Sequence, residues 1–553
     1  MKKEKLRIGL LIDDYSIPLW AYKMLQSIQC SHHSEITLIV KREGSTRDKT
    51  PLLKRVWQRR DLILFQLYAR LENKLFRAPH DAFEPKDLKE LIHCAEIVVK
   101  PKETKHNDFI LQEDIDQIKH HHIDVFIRLG FRILKGAILN SSKYGIWSYH
   151  HGDNKVNRGG PAGVWEVLEQ WEETGAILQI LTEDLDKGVV LQESFSSTDN
   201  LSINRNRNNY YWKVKSFIPR KLEELHRLGE ELFFDKVKQS NSKPYFYYNR
   251  LYTSPKNKEI LRAALKNYGD YARRRIRRFF YFNQWIPLFR IEKTNAISQT
   301  FFRFTRILPP KDRFWADPFV IQKDDTYYVF MEEYVYAEGK GKITVMTVDE
   351  NGKHSQPKVV LVRDYHLSYP FLLEEKGVLY MIPETSENKT IELYSCTNFP
   401  MEWKLEKVLI PNVHAVDSTI FKKDGKYWLF TNIRENEGAS SWDELFLFYS
   451  DDLLNGEWKP HPKNPIVSDV KCARPAGNIF VYEGHIFRPA QNCSKHYGYG
   501  MQIMEIITLN ENEYAEENVQ SIHPNWEKDL ISTHTLNAAG KLTVIDALIK
   551  RKK

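Results

Sequence analysis

Polar side chains follow two neighbouring apolar strands in the first half of this chain. His150 stands at the end of a short apolar strand, and Asp186 comes just after a second apolar run, 176–181. Because the carboxyl ends of strands in an open α/β sheet meet at one edge, the imidazole and the carboxylate are expected in one crevice. An imidazole in such a crevice can accept and return a proton during a reaction. The pair is therefore a candidate catalytic site.

The residues around His150 also follow one another at the spacing of a known family. After His150 come, in order, Arg158-Gly159, Trp165, Glu173-Thr174-Gly175 and Leu185-Asp186-Lys187-Gly188. This series resembles the folate-dependent formyltransferases. The resemblance implies formyl transfer to an amine, with His150 taking the proton and Asp186 orienting the imidazole. The Asn of that family falls at Ser148, whose single hydroxyl donor would polarise the formyl oxygen.

A stretch just before this site bears on the cofactor. The strand 124–128 runs into a segment that resembles the place where the folate pterin meets backbone groups in formyltransferases. The resemblance implies 10-formyltetrahydrofolate as the cofactor, bound by Leu129, Gly130, Phe131, Arg132, Ile133 and Leu134. No Gly-x-Gly-x-x-Gly segment is present, which disfavours a dinucleotide. The five cysteines form no Cys-x-x-Cys pair, so no metal site is expected.

The first 235 residues alternate between apolar strands and amphipathic helices. Residues 6–12 and 36–40 are apolar runs on either side of a helical stretch, which is typical of a parallel sheet. Residues 45–90 interrupt this alternation with basic, aromatic helical segments that indicate an insertion. We predict an α/β Rossmann-like formyltransferase domain over 1–235.

A helical connector is predicted over 236–300. Its five arginines between positions 273 and 278 are followed directly by an aromatic run. This pattern fits a solvated helix face leading into a packed strand, and it also fits a segment that lies on anionic lipid.

Beyond residue 300 the pattern changes to short strands with turn residues. Four similar segments begin at Asp317, Tyr369, Asp417 and Ala476, and each has the pattern of a β-hairpin. Hairpins that recur about every fifty residues indicate a β-propeller. The tail, 503–548, can supply a fifth blade. We therefore predict an all-β five-bladed propeller over 301–553.

Short motifs in this half carry a second resemblance. Trp315-Ala316-Asp317-Pro318-Phe319, Tyr369-Pro370-Phe371, Met381-Ile382-Pro383-Glu384-Thr385 and Asp417-Ser418 are similar to the propellers of glycoside hydrolase family 43 and more similar to the propeller domain of glucosamine inositolphosphorylceramide transferases. The resemblance implies that a central funnel contains Asp317, Glu384 and Asp417, with Arg474, Asn478 and His534 beside them. Two roles stay open for the three carboxylates, namely acid–base chemistry on a glycosidic bond and binding of sugar hydroxyls.

Composition limits the partners and the location. The net charge of +8 and the 13% aromatic content favour anionic partners such as nucleotide-sugars or a lipid surface. The N-terminal apolar run, 8–12, ends in two aspartates and is a first strand rather than a signal peptide. Scattered cysteines indicate a reducing cytoplasm, and the basic segments add the inner face of a membrane. No nucleic-acid partner is expected, and the oligomeric state stays open.

These observations lead to one function and two alternatives. The first is formyl transfer from 10-formyltetrahydrofolate to a nucleotide-linked amino sugar in surface polysaccharide biosynthesis, with the propeller recognising a glycan. The second is a glycosidase or glycosyltransferase-like propeller enzyme whose first half is a degenerate formyltransferase. The third is a non-catalytic scaffold held at the membrane by its basic aromatic segments.

Overall fold

The computed structural model describes residues 3–44, 59–184 and 187–553. The chain divides into two compact units. The N-terminal unit holds residues 1–270 and 436–439, and the C-terminal unit holds residues 271–435 and 440–553. Each unit has its own sheets and its own buried core.

The N-terminal unit is built from strands, many of them short, and from helices of moderate length. Its described strands are β1 (Leu6–Ile12), β2 (Ser16–Pro18), β3 (Ser34–Arg42), β4 (Pro85–Asp87), β5 (Ala95–Val99), β6 (Lys102–Glu103), β7 (Asn107–Phe109), β8 (Val125–Arg128), β9 (Ile133–Lys135), β10 (Ile146–His150), β11 (Arg158–Gly159), β12 (Glu173–Ile180), β13 (Val189–Ser197) and β14 (Leu251–Tyr252). Its described helices are α1 (Leu19–Gln29), α2 (Ile63–Leu75), α3 (Gln112–Lys119), α4 (Trp165–Glu169), α5 (Ile203–Val214), α6 (Phe217–Leu228), α7 (Glu230–Ser240) and α8 (Asn257–Phe280), of which α8 belongs to the C-terminal unit from residue 271 onward.

Seven of these strands form one sheet in the order β13-β12-β10-β8-β1-β3-β5. Strand β1 is apolar from Ile8 to Ile12, where both of its faces are covered. Ile8 and Leu10 lie in the core that includes α1, and Leu11 lies in the core on the other face. The sheet therefore places the polar residues that follow β8 and β10 at its edge.

The prediction of an α/β Rossmann-like formyltransferase domain is wrong as a fold class. The chain is mostly β, with 21% helix and many small sheets. In the N-terminal unit, β12 runs antiparallel to both β10 and β13. Between the parallel strands β8 and β10, the chain passes through β9 and a short 3-10 helix, Gly136–Asn140, instead of a crossover α-helix.

The predicted helical insertion, 45–90, is described in part. Residues 45–58 lie outside the described residues. Residues 59–90 contain α2, β4 and two short 3-10 helices, Arg60–Leu62 and Leu88–Glu90. Phe65 and Tyr68 of α2 pack against Ile260 of α8 in a small apolar cluster.

The C-terminal unit is made of strands after the end of α8. Its strands are β15 (Tyr281–Ile291), β16 (Thr305–Arg306), β17 (Arg313–Lys323), β18 (Thr326–Val335), β19 (Lys340–Asp349), β20 (Lys358–Leu361), β21 (Ser368–Glu375), β22 (Val378–Glu384), β23 (Thr390–Asn398), β24 (Glu402–Pro411), β25 (Ala415–Lys423), β26 (Lys426–Ile433), β27 (Leu445–Ser450), β28 (Lys459–Pro460), β29 (Phe480–Tyr482), β30 (His485–Asn492), β31 (Gly500–Leu509), β32 (Tyr514–Ile522), β33 (Leu530–Ser532), β34 (Leu536–Ala539) and β35 (Leu542–Lys552). Two 3-10 helices, Phe301–Arg303 and Ser386–Asn388, lie between them.

These strands form five sheets, which we call blades. The first blade is β17–β20, the second β21–β24, the third β25–β28 and the fourth β29–β32. The closing blade has the order β16-β15-β35-β33, with β34 paired to β35. Each of the first four blades is an antiparallel meander, as the hairpin repeat in the sequence predicts.

Apolar side chains pack between each pair of neighbouring blades, including the last and the first. One core spans the first three blades. Phe430 of the third blade and Tyr514 of the fourth share another core, as do Ile503 of the fourth and Ile545 of the closing blade. Val544 of the closing blade packs with Val329 of the first. The C-terminal unit is therefore a five-bladed β-propeller.

The closing blade takes only part of its strands from 503–548, the range over which the sequence predicts the fifth blade. Strand β31, which includes Ile503, belongs to the fourth blade. The closing blade instead joins β15 to β35, in register from Tyr281 opposite Lys552 to Ile291 opposite Leu542. The propeller therefore takes a strand from 281–291, a range that we predicted as part of the connector.

None of the helices in the described part of the chain is both long and apolar enough to span a bilayer.

The buried Ile545 tests how far the ring depends on its closing blade. Its side chain is fully buried in the core between the fourth and closing blades. We expect Ile545→Ala to lower the free energy of unfolding of the propeller by about 2–5 kcal/mol, because it removes buried methyl groups and leaves a cavity. The measurement is chemical denaturation followed by tryptophan fluorescence. The exposed Ile507, replaced by Ala, is the control, and equal losses for both variants would contradict the assignment.

Candidate functional site at the propeller centre

Three residues of the propeller motifs share an unusual backbone conformation. Asp317, Tyr369 and Asp417 have positive φ angles of 51°, 43° and 52°. In each case the strand pairing shifts register at that point, between β17 and β18, β21 and β22, and β25 and β26. Left-handed non-glycine residues are uncommon and cost on the order of 1–3 kcal/mol each where a structure enforces them. The repeated bulge therefore marks one shared site, at which all three side chains are buried.

Asp417 lies in a charged network with Arg474. The guanidinium donates from Nε to Asp417 Oδ2 at 2.5 Å and from Nη2 to Oδ1 at 3.1 Å. The same Nη2 lies 3.4 Å from Glu384 Oε2. Gln491 Nε2 donates to Asp417 Oδ2 at 2.7 Å. One arginine thus joins carboxylates of the second and third blades.

Burial dominates the protonation of this network. It raises the pKa of the Asp417 carboxyl above its usual range, although the charge of Arg474 acts in the opposite direction. Arg474 is itself buried, and its guanidinium lies over the Tyr497 ring, 4.9 Å from the ring centroid. Because a buried unpaired carboxylate is costly, the arginine is needed to keep the charged form in place.

A second network connects the first blade to the closing blade. Thr535 Oγ1 donates to Asp317 Oδ1 at 2.9 Å, and the backbone N–H of Tyr369 donates to Oδ2 at 3.3 Å. The backbone N–H of Asp317 donates to Asp546 Oδ2 at 3.1 Å. Both carboxylate oxygens of Asp317 are thus held by the protein.

His534 lies within this second network. Its Nδ1 is 2.6 Å from Asp546 Oδ2, its Nε2 is 3.6 Å from Asp317 Oδ1, and its ring stacks on Trp285 at 4.1 Å between centroids. Burial alone would lower the pKa of His534, but the carboxylates of Asp546 and Asp317 outweigh it and the pKa is raised. Burial also raises the pKa of Asp317.

The same three side chains could offer one ligand atom each to a metal ion. The candidate atoms of Asp317, His534 and Asp546 lie within 4.8 Å of one another. His534 and Asp546 are at hydrogen-bond distance, so these two groups also satisfy each other without an ion.

Several residues of this centre were missed in the sequence. Glu332 is buried beside His366, with 3.4 Å between its Oε1 and the imidazole Nε2, and burial together with the surrounding carboxylates raises its pKa well above the usual range. Glu332 pairs with Ala316 across the strands, at the bulge before Asp317. Its position opposite a recognised motif was the available signal. Asp546 carried no such signal, because its strand is added from the far end of the chain.

Asn478 lies at the inner end of the fourth blade. Its backbone N–H donates to Asn537 Oδ1 at 2.8 Å. The preceding residue, Gly477, has a φ of 122° and its N–H donates to the Tyr369 hydroxyl at 2.7 Å. A side chain at Gly477 would meet the carbonyl oxygen of Leu536 at 2.1 Å, so glycine is required there. The structure thus brings together five of the six funnel residues through named contacts and places the sixth, Asn478, next to one of those contacts.

The candidate catalytic residues of the N-terminal unit are Ser148, His150 and Asp186. Ser148 and His150 are both buried and lie on one face of β10 because they are two residues apart. His150 Nε2 is 2.8 Å from the carbonyl oxygen of Asn157, so this nitrogen carries the proton. Arg128 Nη1 donates to Ser148 Oγ at 3.2 Å. Asp186 lies outside the described residues, so the predicted pair is not tested.

The proposed folate segment, 129–134, is bonded to its own unit. The N–H groups of Leu129 and Gly130 donate to the carbonyl oxygen of Leu11, and that of Phe131 donates to Asp13 Oδ1 at 2.8 Å. In the remaining part of the segment, Arg132 N–H donates to Asp108, Ile133 N–H donates to the His106 carbonyl oxygen, and Leu134 pairs with Asp108 between β9 and β7. The N–H groups of residues 129–133 are therefore already used.

The propeller also carries the similarity to known proteins. A sequence profile of the family described as glucosamine inositolphosphorylceramide transferase 1, N-terminal, matches residues 308–537. The protein of that name from Arabidopsis thaliana is 37% identical over 209 residues, which is 37% of this chain and 27% of the relative. Its counterpart from Oryza sativa subsp. japonica is 37% identical over 206 residues, with the same coverage. The chain thus spans about a quarter of the length of the curated relatives it matches.

The solved structures with similar chains include glycoside hydrolases. A family 117 glycoside hydrolase of Zobellia galactanivorans has a TM-score of 0.32 and 13% identity, covering 49% of this chain and 90% of that chain. A GH62 α-L-arabinofuranosidase of Coprinopsis cinerea has a TM-score of 0.33 and 9% identity, covering 47% and 96%. The propeller architecture rests on the strand pairing and not on these weak similarities.

These similarities correct the predicted enzyme class. The relatives are named as glucosamine inositolphosphorylceramide transferases and not as formyltransferases. The formyltransferase assignment is therefore wrong, as are the descriptions of the chain as folate-dependent and Rossmann-like. The glycan-related alternative that we based on the propeller is the better supported one.

Replacing Arg474 should show how much the buried carboxylates destabilise the folded state when they have no cationic partner. At about pH 8, where Asp417 is ionised, we expect Arg474→Met to lower the free energy of unfolding by about 3–5 kcal/mol, because Asp417 and Glu384 then lack their cation. Arg474→Met/Asp417→Asn should recover part of this loss. Urea denaturation measures both. Lys426→Met, which breaks ion pairs with the exposed Asp451 and Glu511, is the control and should cost less than about 2 kcal/mol. A loss no larger than that of the control would refute the role of Arg474.

The raised pKa values also predict how stability changes with pH. Asp317, Asp417 and Glu332 hold protons in the folded state that the unfolded chain releases, since their ordinary values are 3.8 for Asp and 4.5 for Glu. His534, with its raised pKa, holds its proton above the ordinary 6.5. All four groups therefore contribute stability at low pH that is lost as pH rises.

We expect the propeller to be less stable at about pH 8 than at about pH 5, by more than about 1 kcal/mol. Chemical denaturation across this range is the measurement. Asp317→Asn should flatten the dependence, because it removes one of the titrating groups, whereas Asp325→Asn at an exposed turn should leave it unchanged. Stability that rises with pH over the same range would contradict the raised pKa values.

Proposed function

We propose that this chain is a glycan-modifying enzyme whose propeller centre binds a sugar and carries out glycosyl transfer. The observation that carries the proposal is the network of Asp417, Arg474 and Glu384 at the inner ends of the blades. Carboxylates and an arginine in this arrangement suit a polyhydroxylated ligand, because they provide both acceptors and donors for its hydroxyl groups. The similarity of residues 308–537 to a family named for a glycosyl transfer supports the same choice.

The hydrogen bonds and the exposure of the three predicted carboxylates favour transfer over hydrolysis. Hydrolysis by the two-carboxylate mechanism needs an acid and a base that both face the sugar. Asp417 is held by Arg474 and Gln491, and both oxygens of Asp317 accept hydrogen bonds within the protein. Glu384 is the most exposed of the three side chains, at 11%. Glu384 also accepts hydrogen bonds within the protein, from Ser386 Oγ at 2.7 Å and from Arg474, so its greater exposure alone selects it as the carboxylate for the substrate.

A single carboxylate is sufficient for glycosyl transfer. We assign Glu384 as the general base that takes the proton from the acceptor hydroxyl. The hydroxyl oxygen then forms a bond to the anomeric carbon, the bond from that carbon to the donor phosphate oxygen breaks, and the electron pair leaves with the phosphate. Arg474 Nη2, beside Glu384 Oε2, supplies positive charge at this position.

We infer the donor and the acceptor from the names of the matched relatives and from the net charge of the chain. The matched relatives are named for inositolphosphorylceramide and glucosamine, so a ceramide phosphoinositol acceptor and an amino-sugar donor are proposed here. A nucleotide-linked donor fits the net charge of +8. A cytoplasmic location at the inner face of a membrane stays a prediction.

The test of this proposal is a transfer assay with the purified full chain. The substrates are a panel of radiolabelled nucleotide-sugars and inositolphosphorylceramide in detergent, and the product is labelled lipid. We expect transfer by the wild type and a fall in kcat of at least about a hundredfold for Glu384→Gln, because the base is lost while the shape is kept.

Glu374→Gln is the matched control, since Glu374 lies on the second blade and is exposed. It should leave the rate unchanged. A chromogenic glycoside panel runs in parallel. Release of free sugar without transfer would replace our proposal by a glycosidase function, and no reaction or sugar binding with either panel would remove both.

A further inference from the structure

The end of α8 is an exposed basic and apolar helix within the C-terminal unit. We call residues 271–280 the arginine helix. All ten are exposed. It contains five arginines and no acidic residue, and these arginines are Arg273, Arg274, Arg275, Arg277 and Arg278. A segment of this charge attracts anionic surfaces.

The apolar residues of the arginine helix gather on one face. Ala272, Ile276, Phe279 and Phe280 follow one another at the i, i+4, i+7 and i+8 spacing of a single helical face. Ile276 is 59% exposed, Phe279 75% and Phe280 62%. The arginines occupy the rest of the circumference. An amphipathic helix normally buries such a face, and here the face remains in water.

The segment next to the arginine helix adds further positive charge. The N–H of Lys553 donates to the carbonyl oxygen of Phe280 at 3.1 Å, and Lys552 pairs with Tyr281 across the closing blade. The Lys550 ammonium lies 4.1 Å from the centroid of the Tyr281 ring. Lys550, Lys552 and Lys553 are all exposed. The basic surface thus extends from the helix onto the strand ends.

We propose that the arginine helix and these lysines bind the surface of an anionic lipid bilayer. The two aromatic rings and Ile276 would enter the boundary between headgroups and acyl chains, and the arginine side chains would extend to the lipid phosphates. Arginine suits this role because its planar fork binds phosphate oxygens in pairs. Nucleic acid would also attract the arginines, but it offers no apolar layer for Ile276 and the adjacent phenylalanines.

This inference does not depend on the proposed glycosyl transfer. None of the residues of the arginine helix belongs to the networks around Asp417 or Asp317. A chain that fails the transfer assay can still bind lipid, and a chain that fails to bind lipid can still transfer sugar to a soluble acceptor. The two proposals therefore fail separately.

The experiment is co-sedimentation of the full chain with sucrose-loaded vesicles. One set contains phosphatidylcholine alone, and the other contains about 30% phosphatidylserine, a composition that gives a strongly negative surface. We expect binding to the anionic vesicles, little binding to the neutral ones, and a steep decrease in binding as salt rises.

Two variants separate the charged and the apolar contributions. Arg274→Gln/Arg275→Gln/Arg277→Gln/Arg278→Gln should lower the partition coefficient on anionic vesicles by more than about a hundredfold. Phe279→Ser/Phe280→Ser should lower it at least tenfold and should abolish the blue shift of a fluorophore attached at position 276. All the replaced side chains are exposed, so folding is expected to be unchanged, and circular dichroism checks this.

A matched control removes the same number of charges elsewhere on the propeller. Lys353→Gln/Lys358→Gln/Lys404→Gln/Lys528→Gln replaces four exposed lysines. It should bind anionic vesicles as the wild type does. Equal loss in this control would mean that overall charge and not this surface is responsible, and would overturn the proposal. Absence of binding to either vesicle, or binding to RNA that anionic vesicles do not compete away, would overturn it as well.

Discussion

The energetic constraint at the propeller centre is the burial of several carboxylates around few cations. Asp317, Asp417 and Glu332 each have a pKa raised chiefly by burial. Arg474 and His534 are the buried cationic partners that their networks provide. Taking charges out of water is expensive, and one attraction rarely repays it in full. The surrounding blades must therefore hold these groups in place against their own repulsion.

The ring of blades supplies that constraint. Each network joins residues from different blades, so the positions of the charged groups depend on how the blades pack. Arg474 reaches the second and third blades, and Asp546 joins the closing blade to Asp317 of the first. The left-handed conformation of Asp317 and Asp417 shows that the backbone accepts local strain at these points. A site built in this way is held rigidly by the residues around it.

Much of the propeller could be predicted from the sequence, because each hairpin carries local turn and aromatic signals. The positions of Asp317 and Asp417 followed from the repeat itself. The closing blade could not be predicted, because β15 and β35 are separated by about 250 residues and pair through backbone groups that leave no motif. Asp546 was missed for the same reason, whereas Glu332, opposite Ala316 in a local hairpin, had a signal that we did not use.

In the N-terminal unit the sequence predicted strands correctly but suggested the wrong chemistry. Strands such as β1 and β3 were placed correctly from their apolar runs, because burial on both faces leaves a continuous signal. The spacing of polar residues around His150 suggested a chemistry that the relatives of this chain do not support. Similar spacing can arise wherever a strand, a turn and a helix follow one another, so it constrains local geometry more firmly than it constrains a reaction.

The pairing of β15 with β35 has a topological consequence. Tyr281 and Lys552 face each other on neighbouring strands, so the first and last strands of the propeller begin and end side by side. Backbone hydrogen bonds between β15 and β35, rather than a peptide bond, therefore close the ring of blades. A circularly permuted propeller, linked between these two points and cut at an exposed turn such as Asp424-Gly425, could retain the same five blades in a new order of synthesis.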